Sequence, residues 1–254
     1  MMILVDDISM DFKSELTGEK QHILNNLSFQ VEQGDCIGIL GESGSGKSTL
    51  GRIMTGLLKP TSGQYLFEVK NPYVSKKNKQ YLSENISIVF QDYTTSVNPR
   101  FTVFEIIKES LQLLSKRTNT AINFESEVSK LLLTVGLDDL FLNRFPHQLS
   151  GGQLQRVCIA RAIAVRPKMI LFDEAISSLD AHTQVQIMDL LRDLKNKMNL
   201  TYIFITHDLT SVTYLCNKVM FLYQGRITEF LPVGEIANSK DPYAKKLLNA
   251  IITI

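Results

Sequence analysis

A chain of 254 residues, 44% of them apolar, can bury one sizeable core with or without a subdomain. Its net charge of +1 supplies no basic field to gather nucleic acid, and no nucleic-acid partner is expected. The three cysteines (Cys36, Cys158, Cys216) form no CxxC pair and read as buried, reduced thiols of a cytosolic chain, while no signal peptide or membrane-length apolar run is visible, so work at a membrane needs other chains to hold it there.

In chain order, residues 3–12 and 27–31 read as strands, separated by a polar stretch at 13–21. Residues 36–40 (CIGIL), bounded by Gly34 and Gly41, suit a buried strand. A helix is predicted over 48–58, stopped by Pro60, with further strands at 65–69 and 86–90. The basic run Lys76-Lys77-Asn78-Lys79 reads as a solvated loop. After Gln91 the pattern turns helical over 103–114, 125–135 and 152–165. Then come a buried strand at 169–172 (MILF), a helix at 182–198, a strand at 202–206 and a helix at 209–216. A hairpin over 219–223 and 226–230 turns at Gln224-Gly225, and 242–254 forms a short amphipathic helix. Alternating strands and helices imply a mainly parallel sheet. The helical run from about 93 to 166 interrupts that alternation and reads as an inserted helical subdomain.

Two motifs carry chemistry. Residues 41–48 (GESGSGKS) fit GxxxxGK[ST] and lie between a predicted strand and a predicted helix, as a phosphate cradle requires. Its glycines let backbone N–H groups turn inward as an anion nest, and the helix N-terminus adds its positive dipole end. Gly41, Ser43, Gly44, Ser45, Gly46, Lys47, Ser48 and Thr49 are the expected phosphate-binding residues. Lys47 can reach the β- and γ-phosphates, and the Ser48 hydroxyl can bind Mg²⁺. Alone, the motif says only that a nucleotide is bound. The strand at 169–172 ends in Asp173-Glu174. Asp173 is placed to hold Mg²⁺, and Glu174 to polarise an attacking water.

A third motif decides the family. Residues 148–164 (QLSGGQLQRVCIARAIA) resemble the signature helix of ATP-binding-cassette (ABC) ATPases nearly residue for residue. The resemblance covers nearly the whole chain. It implies a P-loop (RecA-like) α/β ATPase core with an N-terminal antiparallel β subdomain and an inserted helical subdomain. The expected organisation is core over 1–91 and 167–240, helical subdomain over 92–166, and a helical tail over 241–254. Gln91 resembles the Q-loop glutamine, a Mg²⁺ ligand and catalytic group in that family. Asp180 lies in a D-loop-like Ser178-Leu179-Asp180, and His207 resembles the switch histidine. Phe12 sits where the family stacks a ring on adenine, although alone it reads more readily as a core aromatic. Ser150, Gly151, Gly152 and Gln153 open a helix and so form a second anion nest. In the family this nest faces the ATP held by a partner cassette, so the ligand biases a two-state dimer.

The same resemblance implies partners. Residues 91–103 (QDYTTSVNPRFTV), 144–150 (RFPHQLS) and the tail DPYAKKLL resemble the peptide and nickel importer branch. Ala175, where most relatives carry proline, and Tyr93, where peptide importers read QDP, look more like the smaller ATPase of nickel and metallophore importers. The implied assembly is a homologous ATPase subunit, two transmembrane permeases and, indirectly, an extracytoplasmic binding protein, at the cytoplasmic membrane face. Val97, Phe101 and Phe104 can line a permease-docking groove or pack within the helical subdomain. An exporter cassette, a non-transport ABC ATPase and a non-catalytic ATP-binding subunit are the competing functions.

Overall fold

The structure is a computed structural model that describes residues 1–13 and 19–252, with backbone only over 250–252. Part of the polar stretch at 13–21 and the last two residues of the tail helix lie outside the described residues. Nine strands and eight α-helices are found among the described residues.

β1 (Ile3–Lys13), β2 (Lys20–Val31) and β4 (Ser62–Phe67) form an antiparallel sheet in the order β2-β1-β4. The second strand is far longer than residues 27–31. Asn26 takes φ 51° there, and the register with β1 shifts between Ile8 and Met10. A bulge of this kind breaks the two-residue alternation by which a strand is recognised.

The second sheet has six strands in the order β5-β6-β7-β3-β8-β9. β3 (Cys36–Leu40), β5 (Ile86–Phe90), β6 (Met169–Asp173), β7 (Thr201–Thr206) and β8 (Lys218–Tyr223) run parallel, and β9 (Arg226–Pro232) closes the edge antiparallel to β8. Both faces of the parallel strands are covered, so their side chains divide between two cores. Ile37, Ile39, Met169, Leu171, Ile203 and Ile205 join the first sheet and α1 (Lys47–Met54). Cys36, Leu40, Ile170, Phe172, Tyr202 and Phe204 join the helices of the other side. Those helices include α3 (Val103–Thr118), α4 (Phe124–Thr134), α5 (Gly151–Ala164), α6 (Ala181–Met198), α7 (Leu209–Leu215) and α8 (Pro242–Ile252). None of the helices among the described residues is long and apolar enough to cross a membrane.

Two further readings change. The basic run is not a loop: α2 (Lys76–Asn85) begins there, capped by Ser75, whose side chain accepts from Asn78 N–H. It buries only Leu82, so it shows almost no apolar stripe. The helix after the glycine-rich loop ends at Met54 rather than residue 58, because Gly56 (φ 75°) turns the chain. Cys36 and Cys216, distant in sequence, place their sulfurs 3.0 Å apart as free buried thiols. Of the groove candidates, Val97 is buried in the core, while Phe101 and Phe104 pack partly buried against it.

Candidate functional site

The carboxyl ends of the parallel strands deliver the chemistry to one edge. β3 leads into the loop at 41–46 and then α1; β6 ends at Asp173; β7 leads to His207; β5 leads to Gln91. Phe90 pairs with Asp173, Asp173 with Ile205, and Leu40 with Thr206, so sheet register sets these four chain ends side by side. This is the edge where open parallel sheets bind ligands.

The loop itself is held from several sides. Lys47 Nζ donates to the carbonyls of Gly41 and Glu42 at 2.6 and 2.9 Å, and Ser45 N–H donates to Glu42 at 3.2 Å. Gly46 has φ 103°, and a Cβ there would stand 2.6 Å from Leu24 Cδ2, so only glycine fits. Ser45 is buried and its Oγ has no partner. The first N–H groups of α1 precede any intrahelical acceptor and face outward as anion donors. The cleft over them is lined by Gln21, Ile23, Ser43, Gly44, Gly46, Lys47, Ser48, Thr49 and Glu174.

Electrostatics tune this edge. Burial pushes the Lys47 ammonium down, opposed by the Glu174 and Asp173 carboxylates. Burial, and then repulsion from Glu174, push the Asp173 carboxyl up against the pull of Arg52, Lys47 and the Ser48 hydroxyl. The Ser48 hydroxyl is near enough to pull on the Asp173 carboxyl, so a hydroxyl and a carboxylate share the cradle's lip. Such hard oxygen donors are what Mg²⁺ takes, and the residues fit that ion. Glu174 has φ 49°, and its N–H donates to Ile205 at 2.9 Å. Its Oε2 lies 3.6 Å from His207 Nδ1. The arrangement can cradle a polyphosphate, bind a divalent cation and set a carboxylate beside the terminal phosphate.

Other expected site residues lie elsewhere in the chain. Ser150 caps α5 by accepting from Gln153 N–H at 3.3 Å, while Gln153 Oε1 accepts from Ser150 N–H at 3.0 Å. A Cβ on Gly151 would come within 2.7 Å of Tyr93 Oη, and one on Gly152 within 2.6 Å of Thr183 Cγ2. None of Ser150, Gly151, Gly152 and Gln153 lines the cleft over Lys47. Asp180 spends both carboxylate oxygens capping α6 through Thr183. Phe12 is 41% exposed and outside the cleft lining, although its strand partner Gln21 is inside it. Gln21 and Ile23 are lining residues the sequence did not offer, because the strand carrying them looked too short. Their signal is weak: same-face spacing of two ahead of the Asn26 bulge.

Comparison with known proteins agrees with this geometry. A family model described as ABC transporter matches residues 24–177. The oligopeptide transport ATP-binding protein OppF of Bacillus subtilis is 42% identical over 231 residues, 90% of this chain and 75% of the relative. The metal-staphylopine import system ATP-binding protein CntF of Staphylococcus aureus is 40% identical over 249 residues, 97% of this chain and 98% of the relative. Among solved structures, the dimeric ATP-binding cassette MJ0796 in a post-hydrolysis state with ADP and Pi superposes with a TM-score of 0.80 at 28% identity, covering 91% of this chain and 99% of that one. The cassette cbiO1 from Clostridium perfringens, part of the cbiONQ transporter complex, gives 0.80 at 27% identity, covering 100% and 99%. With its phosphate cradle, its strand-end carboxylates and these relatives, the chain belongs to the ABC transporter family, as an ATP-binding and ATP-hydrolysing subunit of an importer.

Proposed function

We propose that this subunit drives import of a metal–metallophore complex or nickel by closing, with a homologous ATPase subunit, around Mg·ATP at the cytoplasmic face of the membrane. The observation that carries the reading is the meeting of Lys47, Ser48 and Glu174 at one cleft, with the Asp173 carboxyl close enough to feel all three and Ser150–Gln153 kept outside it. One chain thus holds two anion nests that do not share a ligand, which suits two ATP molecules sandwiched between two cassettes. Phosphates sit on the N–H groups of Gly44, Gly46, Lys47 and Ser48, with Ser43, Ser45 and Thr49 shaping the loop. Ser48, Asp173 and Gln91 hold Mg²⁺, which when bound neutralises charge on the transferring phosphoryl group. Glu174 accepts the proton of the attacking water, and His207 orients the terminal phosphate. Phe12 offers an exposed ring to adenine beside Gln21 and Ile23. Asp180, Ser150, Gly151, Gly152 and Gln153 face the partner cassette, and two permeases receive the motion.

The metallophore reading draws on Ala175, on Tyr93 packed at Gly151, and on CntF. A short-peptide cargo is the second reading, favoured by the identity to OppF. The test is to reconstitute the subunit with its permeases, partner ATPase and binding protein, then measure ATP hydrolysis with each ligand delivered. Stimulation by the metal complex or nickel alone supports the first reading; stimulation by peptide alone replaces it with the second.

A further inference from the structure

The C-terminal helix reaches the phosphate cradle. Tyr243, on the first turn of α8, accepts a hydrogen bond from the Glu42 N–H at 2.8 Å. Its ring is 8% exposed and stacks on Tyr223 with centroids 4.5 Å apart and planes 29° from parallel. Tyr223 ends β8, and in the turn that follows Gly225 N–H donates to the Ser45 carbonyl at 3.1 Å. The start of α8 is itself pinned: the Glu229 carboxylate on β9 accepts from Ser239 Oγ and from the N–H groups of Lys240 and Asp241. A rigid edge of the sheet therefore grips the back of the loop at two points.

The peptide joining Gly41 to Glu42 is the link. Its N–H, from Glu42, goes to Tyr243, and its carbonyl, from Gly41, accepts from Lys47 Nζ at 2.6 Å; the next carbonyl, that of Glu42, accepts from the same ammonium at 2.9 Å. Neither Glu42 nor Tyr243 lines the cleft, so the tail does not compete with a bound phosphate. It fixes the loop that aims the ammonium. We infer that Tyr243 is a positioning residue for ATP binding, acting through the Gly41–Glu42 peptide on Lys47. This rests on the reading that residues 41–48 hold the ATP phosphates. Removing the hydroxyl leaves a part-buried N–H without its acceptor, which costs free energy unless the peptide turns to reach water. Rotating that peptide to find water would carry the Gly41 carbonyl away from Lys47 and misplace the ammonium. Glu174 and His207 stand on other strands and keep their places, so binding suffers more than turnover.

The test is Tyr243→Phe in the full chain, which keeps the ring on Tyr223 and deletes only the hydroxyl. ATP affinity is measured by titration with a fluorescent ATP analogue, and KM and kcat in the assembled transporter. The expected result is a KM and dissociation constant raised about five- to tenfold, with kcat changed less than about twofold. Amide hydrogen exchange at Glu42 is read in parallel and should speed up about tenfold or more in the variant. A purely packing role for the ring predicts no change in either readout, and that result would overturn the inference while leaving the nucleotide site standing. Absence of ATP binding in the unaltered chain would overturn the site and the role of Tyr243 together.

Discussion

His207 Nδ1 stands 3.6 Å from Glu174 Oε2, although the two residues leave different strands. The pairing of Asp173 with Ile205 and the bond from Glu174 N–H to the Ile205 carbonyl set that separation. In the proposed mechanism the histidine ring works beside the carboxylate that meets the attacking water. His207→Ala should cut ATP hydrolysis in the assembled transporter by about 10²-fold and leave ATP affinity within about twofold. Steady-state kinetics beside equilibrium binding checks both parts.

Ser150 serves its own helix and, in the proposed dimer, a partner's nucleotide. Ser150→Ala should cost about 1 kcal/mol of stability through the lost cap. ATP affinity of the isolated subunit should not change, since Ser150 is absent from its cleft. Hydrolysis by the assembled pair should fall about 10²-fold if the hydroxyl meets the γ-phosphate. Denaturant melts, ATP titration and turnover separate the three effects.

The hairpin between β4 and the chain that follows turns through Glu68 and Val69, both at positive φ (45° and 61°). Phe67 and Lys70 exchange backbone hydrogen bonds at 2.9 and 3.0 Å around it. A β-branched residue is costly in that conformation, and Val69 is 76% exposed, so little packing offsets the strain. Glu68 is different, because its carboxylate pairs with Lys168 at 2.8 Å and ties this hairpin to the start of β6. Val69→Gly should therefore stabilise the chain by about 1 kcal/mol, a rise of about 2–4 °C in Tm. Thermal melts of the two proteins decide it.

Acid should loosen the start of β3 and β8. Burial works against the Asp35 carboxylate, but hydrogen bonds from Lys218, Asn217 and the Glu32 N–H outweigh it and hold the carboxyl below its ordinary range. A folded-state pKa below the unfolded one means stability is present above about pH 4 and is lost as pH falls through the folded value. Asp35→Asn should lower stability at neutral pH and flatten its decline below about pH 4. Urea melts across that range provide the readout.

Much of the site was legible because its chemistry needs contiguous residues. The run from Gly41 to Ser48, the Asp173-Glu174 pair and the motif from Leu149 to Gln153 each occupy one turn or strand end, and β3 and β6 read as unbroken apolar runs. What stayed hidden depends on pairing between distant segments. Gln21 and Ile23 enter the cleft because β2 continues past the Asn26 bulge, which local alternation does not reveal. The grip of Tyr243 on Glu42 spans 201 residues, and no spacing rule connects them. α2 was missed for the opposite reason: a helix that buries one leucine has almost no pattern to read.

In the proposed mechanism this chain hydrolyses ATP with Glu174 as the base that activates water. Glu174→Gln keeps the size and hydrogen-bonding reach of the side chain and removes its basicity. Measured in the assembled transporter, phosphate release should fall at least about 10²-fold while ATP still binds. Turnover near that of the unaltered protein would contradict the account.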